Sequence, residues 1–382
     1  MLSPALALTV GESRCKTRGI IVATPRICWM KKAHLQHLSL AAVGLFILTE
    51  AAVASGYREF RDWQVNCSSA LTCRLTPTLP DDAPFYAFTF SRSNAPDAPV
   101  ELTVGFRETL PDASARMDIE ITDGPALSLE FAEAEQREDY SELHFEDDAV
   151  LRSLIEAMKN GTEMTVSISS DDPSAITEVS LSGVTASLLF IDESQDRLER
   201  TDALQAIGDR EPPASSPISA ITSFDELPAH IAADFTDDTG YCGGLDDDRF
   251  AAMEGVLVDR GDEGVMLLLP CGLGGAYNFP YAVYIGGELA TLRARDFPVM
   301  GEDGPQSEPF AYNIDFDQTT DRITSFFKGR GIGDCGTLSV WSVENDGYGP
   351  SLTLVEQRVK DDCDGDYGDG PESWPLVWPA AQ

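Results

Sequence analysis

The sequence predicts a mainly β protein: an N-terminal antiparallel β-sandwich-like domain followed by a C-terminal mixed β (α+β) domain, stapled by disulfides. Three observations predict it. Short apolar runs alternate with period two between Pro, Gly, Asp and Asn, as half-buried strands require. An acidic, proline-rich stretch without periodicity divides the chain near residue 210. Six cysteines follow a segment that reads as an export signal, a setting in which thiols pair.

That segment begins at Met30. Lys31 and Lys32 supply a basic start, Leu38 to Leu48 an apolar run, and Ala52-Val53-Ala54 the small residues read by a signal peptidase. Cleavage is expected between Ala54 and Ser55. The apolar run is about half of the roughly 20 residues that span a bilayer, so no membrane span is expected after processing. No cysteine follows at a lipoprotein position. Residues 1–29 read as an upstream extension of the true start at Met30, the alternative being an unusually long basic region. The expected location is the periplasm or the medium.

Removing residues 1–54 leaves 21 basic against 62 acidic residues, a net charge of −41, where the whole chain carries −37. Such a surface repels nucleic acid and anionic membrane. It attracts cations or a basic protein, or simply keeps the chain hydrated in a salty medium; the second reading is favoured. The expected partner is an unknown envelope protein or a small ligand.

From residue 55 to 208, "FYAFTFS", "VELTVGF", "RMDIEI", "ALSLEF", "SELHF" and "EMTVSIS" read as strands. Their number and spacing suggest a sandwich. "DDAVLRSLIEAMKNG" reads as a helix capped by Asp148, with Val150, Leu151, Leu154, Ile155 and Met158 on one face. "TASLLFIDESQDRLERTDALQAIG" is expected to start as a strand and end helical. Residues 209–217 read as the linker. Beyond it, from 218 to 382, "GVMLLLPC", "YAVYIGG", "TLSVWSV" and "SLTLVEQRV" read as strands, the last two as a hairpin across "ENDGYGP". Short helices are expected near 225–233 and 249–256.

Cys15 and Cys28 leave with the front of the chain. Cys67, Cys73, Cys242, Cys271, Cys335 and Cys363 remain, which allow fifteen pairings. Five residues separate Cys67 from Cys73, too many for a C-x-x-C redox pair. Only His144 and His230 remain to complete a zinc set that needs four ligands. A short staple, Cys67–Cys73, is expected. The other four allow three pairings, of which Cys242–Cys271 and Cys335–Cys363 close the smaller loops.

"FRDWQVNC", "PCGLGGAYN", "GDCGTLSVW", "LVEQRVKDDC" and "SWPLVW" resemble blocks of the bacterial domain-of-unknown-function-1176 family. The resemblance spans nearly the whole chain after the signal, and implies an exported six-cysteine protein without an assigned activity. In that family a basic residue and glycine follow the last cysteine. Asp364-Gly365 stands there here, so the resemblance carries no anion site at that point. The Trp63, Cys67, Cys73 arrangement and "SLSGVTASL" also resemble the invasion-associated locus B family, which implies an exported β-rich first half.

Motifs with chemistry are few. "GIGDCG" matches G-x-G-x-x-G, but a strand follows it where a dinucleotide site needs a helix, so it reads as a turn. "DDCDGDYGDG" offers Asp362, Asp364, Asp366 and Asp369 as weak calcium ligands, without the ligand order of an EF-hand. No G-x-S-x-G or H-E-x-x-H occurs, and no catalytic residue or cofactor is expected. Tyr277, Asn278 and Tyr281 in "GAYNFPY" are candidates to line a ligand groove. The expected role is non-catalytic, in binding or envelope structure. The alternative is a hydrolase using carboxylates in the C-terminal half.

Overall fold

The computed structural model describes residues 56–169, 176–237, 240–345, 347 and 349–379. The expected signal segment and the expected Ala54/Ser55 junction lie outside them.

Seven antiparallel strands form the first sheet, in the order Gly56–Phe60, Trp63–Cys67, Cys73–Pro77, Phe85–Arg92, Glu101–Phe106, Glu142–Phe145, Glu135–Arg137. In Trp63–Cys67 alternate residues are buried and exposed, which is the period-two pattern read from the sequence. A second sheet runs Ile176–Ser180, Glu163–Ile168, Arg116–Ile121, Ala126–Glu130. Both sheets share one core with two helices. In Asp148–Asn160, Leu151, Leu154, Ile155 and Met158 are buried, one face at helical spacing.

Two local expectations change. Asp147, not Asp148, caps that helix, its carboxylate accepting from the Val150 amide at 3.1 Å. Asp148 is the first helical residue and turns back to accept from Val100 N at 2.7 Å. The segment after Gly183 is helical at its start, Val184–Ser194, and irregular afterwards. Val184, Leu188 and Ile191 are buried, while Thr185, Ala186, Leu189 and Glu193 form an exposed face; because Leu189 is apolar on that face, the run 188–191 reads as a strand in the sequence. The chain then wraps around the buried Asp192 carboxylate, which accepts from the amides of Leu204, Gln205 and Ala206.

Residues 211–217 form neither strand nor helix and run mostly exposed into the second half. Here a sheet of Ile218–Ile221, Gly255–Asp259, Val265–Pro270, Pro280–Gly286 and Arg293–Arg295 has Ala311–Tyr312 paired beside Pro280–Gly286. Val265–Pro270 is buried at every position because cores lie on both faces of the sheet. On one face Leu267, Leu269 and Tyr284 meet the helices Ala229–Thr236 and Asp247–Met253 through Ile231, Phe235 and Phe250. On the other, Met266, Leu268 and Val283 meet Phe316, Ile323, Trp341 and Val343 of a five-stranded sheet. That sheet runs Ile314–Asp317, Arg322–Lys328, Gly336–Asn345, Pro350–Lys360, Leu376–Trp378, and the hairpin Phe297–Gly301/Gly304–Glu308 packs beside it.

Disulfides join Cys67 to Cys73, Cys242 to Cys271 and Cys335 to Cys363, with Cα separations of 4.0, 4.5 and 5.0 Å. Cys67 and Cys73 are direct cross-strand partners, so their bridge closes the loop between two neighbouring strands. Ala70 and Leu71 on that loop are buried in the core beneath the five-stranded sheet. The bridge therefore shapes a plug that reaches from the first sheet into the second half.

Candidate functional site

The clearest concavity among the described residues lies on the core-side face of the five-stranded sheet, beside the core residues Trp341 and Ala311, with a volume of about 290 Å³. That is the small end of the range for ligand pockets. Cross-strand register builds its floor. Ser325 pairs with Ser339, and Ser339 with Gln357, straight across three strands; Phe327 and Thr337 form the next rung. With period two, Thr337, Ser339 and Trp341 face the same way.

The outer members of the central row hold the walls. Ser325 Oγ donates to the Tyr312 carbonyl at 2.8 Å and accepts from its amide at 3.0 Å. Gln357 Oε1 accepts from the Met300 amide at 2.9 Å, and Nε2 donates to its carbonyl at 2.7 Å. Trp341 Nε1 donates to Pro298 O at 2.6 Å, and its ring lies 4.9 Å from Phe297. One wall is thus pinned through Tyr312 and the other through the Phe297–Gly301 strand. Between them Ser339 is 5% exposed, and its hydroxyl has no hydrogen-bond partner among the described residues. The hydroxyl is not among the fully buried unpartnered polar atoms, so it opens into the groove, where water or a ligand atom can bond it.

Aromatic side chains line the rim. Tyr312 meets Phe327 edge-on at 5.2 Å, and Phe310 stacks on Tyr241 at 5.3 Å. Glu308 contributes the lining carboxylate, and no basic side chain lines the groove.

The residues singled out from the sequence lie elsewhere. Asn278 Oδ1 accepts from Lys328 N and Asn313 Nδ2, both at 3.0 Å, while its Nδ2 donates to Lys328 O at 2.8 Å. Its amide is committed to tying the loop to the five-stranded sheet. Tyr281 donates to Met253 O at 3.0 Å; burial, with Glu254 nearby, pushes its phenol up to about 12. Tyr277 packs on Gly331. These side chains act as joints within the second half rather than as groove walls.

On the acidic loop, Lys360 Nζ pairs with Asp364 at 2.8 Å and holds that carboxyl below its usual value. Asp366 accepts from Gly368 N at 2.9 Å. Asp362 and Asp369 share the exposed loop, and no group of three potential ligands close enough to hold a metal occurs among the described residues. Buried Asp334 anchors the loop: it accepts from Arg330 and from Gly365 N at 2.6 Å, and the Arg330 guanidinium holds it well below the usual carboxylate range. The "GIGDCG" stretch is the connection between two antiparallel strands. Gly336 has φ 140° there, and any β-carbon would strike the Phe327 carbonyl.

His144 sits between Thr103 and Glu142, each at 3.2 Å, and His230 faces Leu292 O at 3.1 Å. Neither lines the groove. Of the groove residues, Thr337, Ser339 and Trp341 carried a signal in "TLSVWSV", a strand face of hydroxyls beside an indole. Glu308, Phe310 and Tyr312 carried none.

An uncharacterised protein of Escherichia coli K12, YpfG, is 26% identical over 350 residues, spanning 85% of this chain and 93% of that one. The crystal structure of invasion associated protein B from Bartonella henselae covers 37% of this chain and 99% of its own at 13% identity and a TM-score of 0.29. At that score the likeness carries no statement about role. The model of the family described as "Protein of unknown function (DUF1176)" matches residues 57–381. This chain belongs to that family.

Proposed function

We propose that this protein is an exported, periplasmic module that binds a small ligand in the groove of the five-stranded sheet and performs no chemistry on it. The observation that carries this reading is the Ser339 hydroxyl, on a residue only 5% exposed, unpartnered among the described residues and flanked by two neighbours that fasten the groove walls to the sheet. Export is supported by the Met30–Ala54 signal pattern and by six cysteines that pair. The groove supplies one carboxylate, Glu308, where carboxylate-pair hydrolysis uses two, which favours binding over a hydrolase.

The test has two arms. N-terminal sequencing of the periplasmic protein should find Ser55 first; an intact Met30 in the cytoplasm would overturn export. A thermal-shift screen of small polar metabolites should find compounds that stabilise the native protein but not Ser339→Leu, whose side chain fills the floor. Equal shifts in both proteins, or none in either, would overturn the groove as the site.

A further inference from the structure

We infer that the groove takes a small organic ammonium compound, an assignment that rests on the groove being the binding site and names its ligand class. Four observations point the same way. The Glu308 carboxylate lines the groove and has neither an ion-pair nor a hydrogen-bond partner among the described residues. Every other lining residue is uncharged, so nothing there offsets it. Phe310, Tyr312 and Phe327 line the same space, and aromatic rings attract ammonium groups electrostatically through their faces. The net charge of −37 raises the local concentration of cations and repels anions, which works against carboxylate or phosphate ligands.

The floor adds a second recognition element. Ser339 and Thr337 offer hydroxyls with no side-chain partner among the described residues, so either can donate to or accept from a hydroxyl or amide on the ligand body. An ammonium group at the Glu308 end and a hydrogen-bonding group over Ser339 would use both features. A volume of about 290 Å³ suits a compound the size of an amino sugar or a short diamine rather than a protein segment.

The experiment is an NMR titration of the processed, disulfide-intact protein with five probes. Choline, putrescine and glucosamine carry the ammonium group; glucose is the uncharged match to glucosamine, and acetate the anion. At least one ammonium probe should perturb the Thr337, Ser339 and Phe327 amides, compete with another such probe, and weaken as salt is raised. Glu308→Gln, at an exposed position that leaves folding intact, should weaken it about three- to tenfold. Thr337→Val serves as a second variant and should weaken glucosamine more than choline. If glucose matches glucosamine and Glu308→Gln has no effect, the ammonium assignment falls while the groove stands. If no probe perturbs the groove, the assignment falls, and the metabolite screen with Ser339→Leu decides separately whether the groove binds anything.

Discussion

Arg74 Nη2 lies 2.6 Å from Glu254 Oε1, an ion pair that ties the first sheet to a buried carboxylate of the second half. Ser68 Oγ donates to the other oxygen of Glu254 at 2.8 Å. Glu254 is 7% exposed and has φ 55°, so a strained residue is kept where two neighbours can satisfy its charge. Beside this contact Ser69 Oγ donates to Asp315 and accepts from Phe316 N, at 2.8 and 2.9 Å, and Gln195 holds the Leu71 carbonyl at 2.7 Å. The small loop closed by Cys67–Cys73 is thereby tied to its surroundings through Ser68, Ser69 and Leu71.

Glu254→Ala should lower stability by about 1–3 kcal/mol, the cost of leaving Ser68 and Arg74 without their acceptor. Arg74 is 41% exposed, which keeps the loss below that of a fully buried pair. Urea unfolding measures it. A change within about 0.3 kcal/mol would mean that the pair does not join the halves.

Replacing both Cys67 and Cys73 by Ala should cost about 2–2.5 kcal/mol, from the entropy of closing so short a loop. Hydrogen exchange should quicken first at residues 68–72, because the plug loses its shape before either sheet opens. Uniform loss of protection across both halves would contradict this order.

Under limiting reductant Cys335–Cys363 should open first. Cys363 is exposed, whereas the other five bridged cysteines are at most 2% exposed. Attack by an external thiolate needs access. Alkylation followed by peptide mapping reports the order; modification of Cys67 or Cys242 ahead of Cys363 would refute it.

Asp334 should give the C-terminal loop an acid limit. Its folded carboxyl titrates below its unfolded value, so its contribution is complete above about pH 4 and is lost as pH falls toward the depressed folded value. Asp334→Asn should weaken the loop at neutral pH and flatten its acid dependence. Fluorescence of Trp374, which packs on Phe326 at 5.6 Å, follows the loop. An unchanged acid profile in the variant would remove Asp334 as the cause.

Asp147→Ala should cost about 1 kcal/mol through loss of the helix cap, and Asp147→Ser much less. Thermal unfolding of the two variants tells them apart, and equal losses would show that the carboxylate does not act as a cap.

By itself the sequence determined the β-rich class, the pairing of Gly336–Asn345 with Pro350–Lys360 as a hairpin, and the buried face of Asp148–Asn160. Each follows from short-range periodicity or turn chemistry that one segment carries alone. It misplaced the cap by one residue because adjacent aspartates offer the same chemistry, and only backbone geometry distinguishes Asp147 from Asp148. It mistook Val184–Ser194 for a strand start because the apolar Leu189 on the exposed face blurs the amphipathic period of the helix. Tertiary structure alone decided the groove. Ser325, Ser339 and Gln357 are distant in the chain and become one row through strand register. Register and the pairing of Ala311–Tyr312 with Pro280–Gly286 depend on how sheets close over shared cores, which no single segment encodes. The same closure turned Asn278 into a joint and left the Ser339 hydroxyl facing open space.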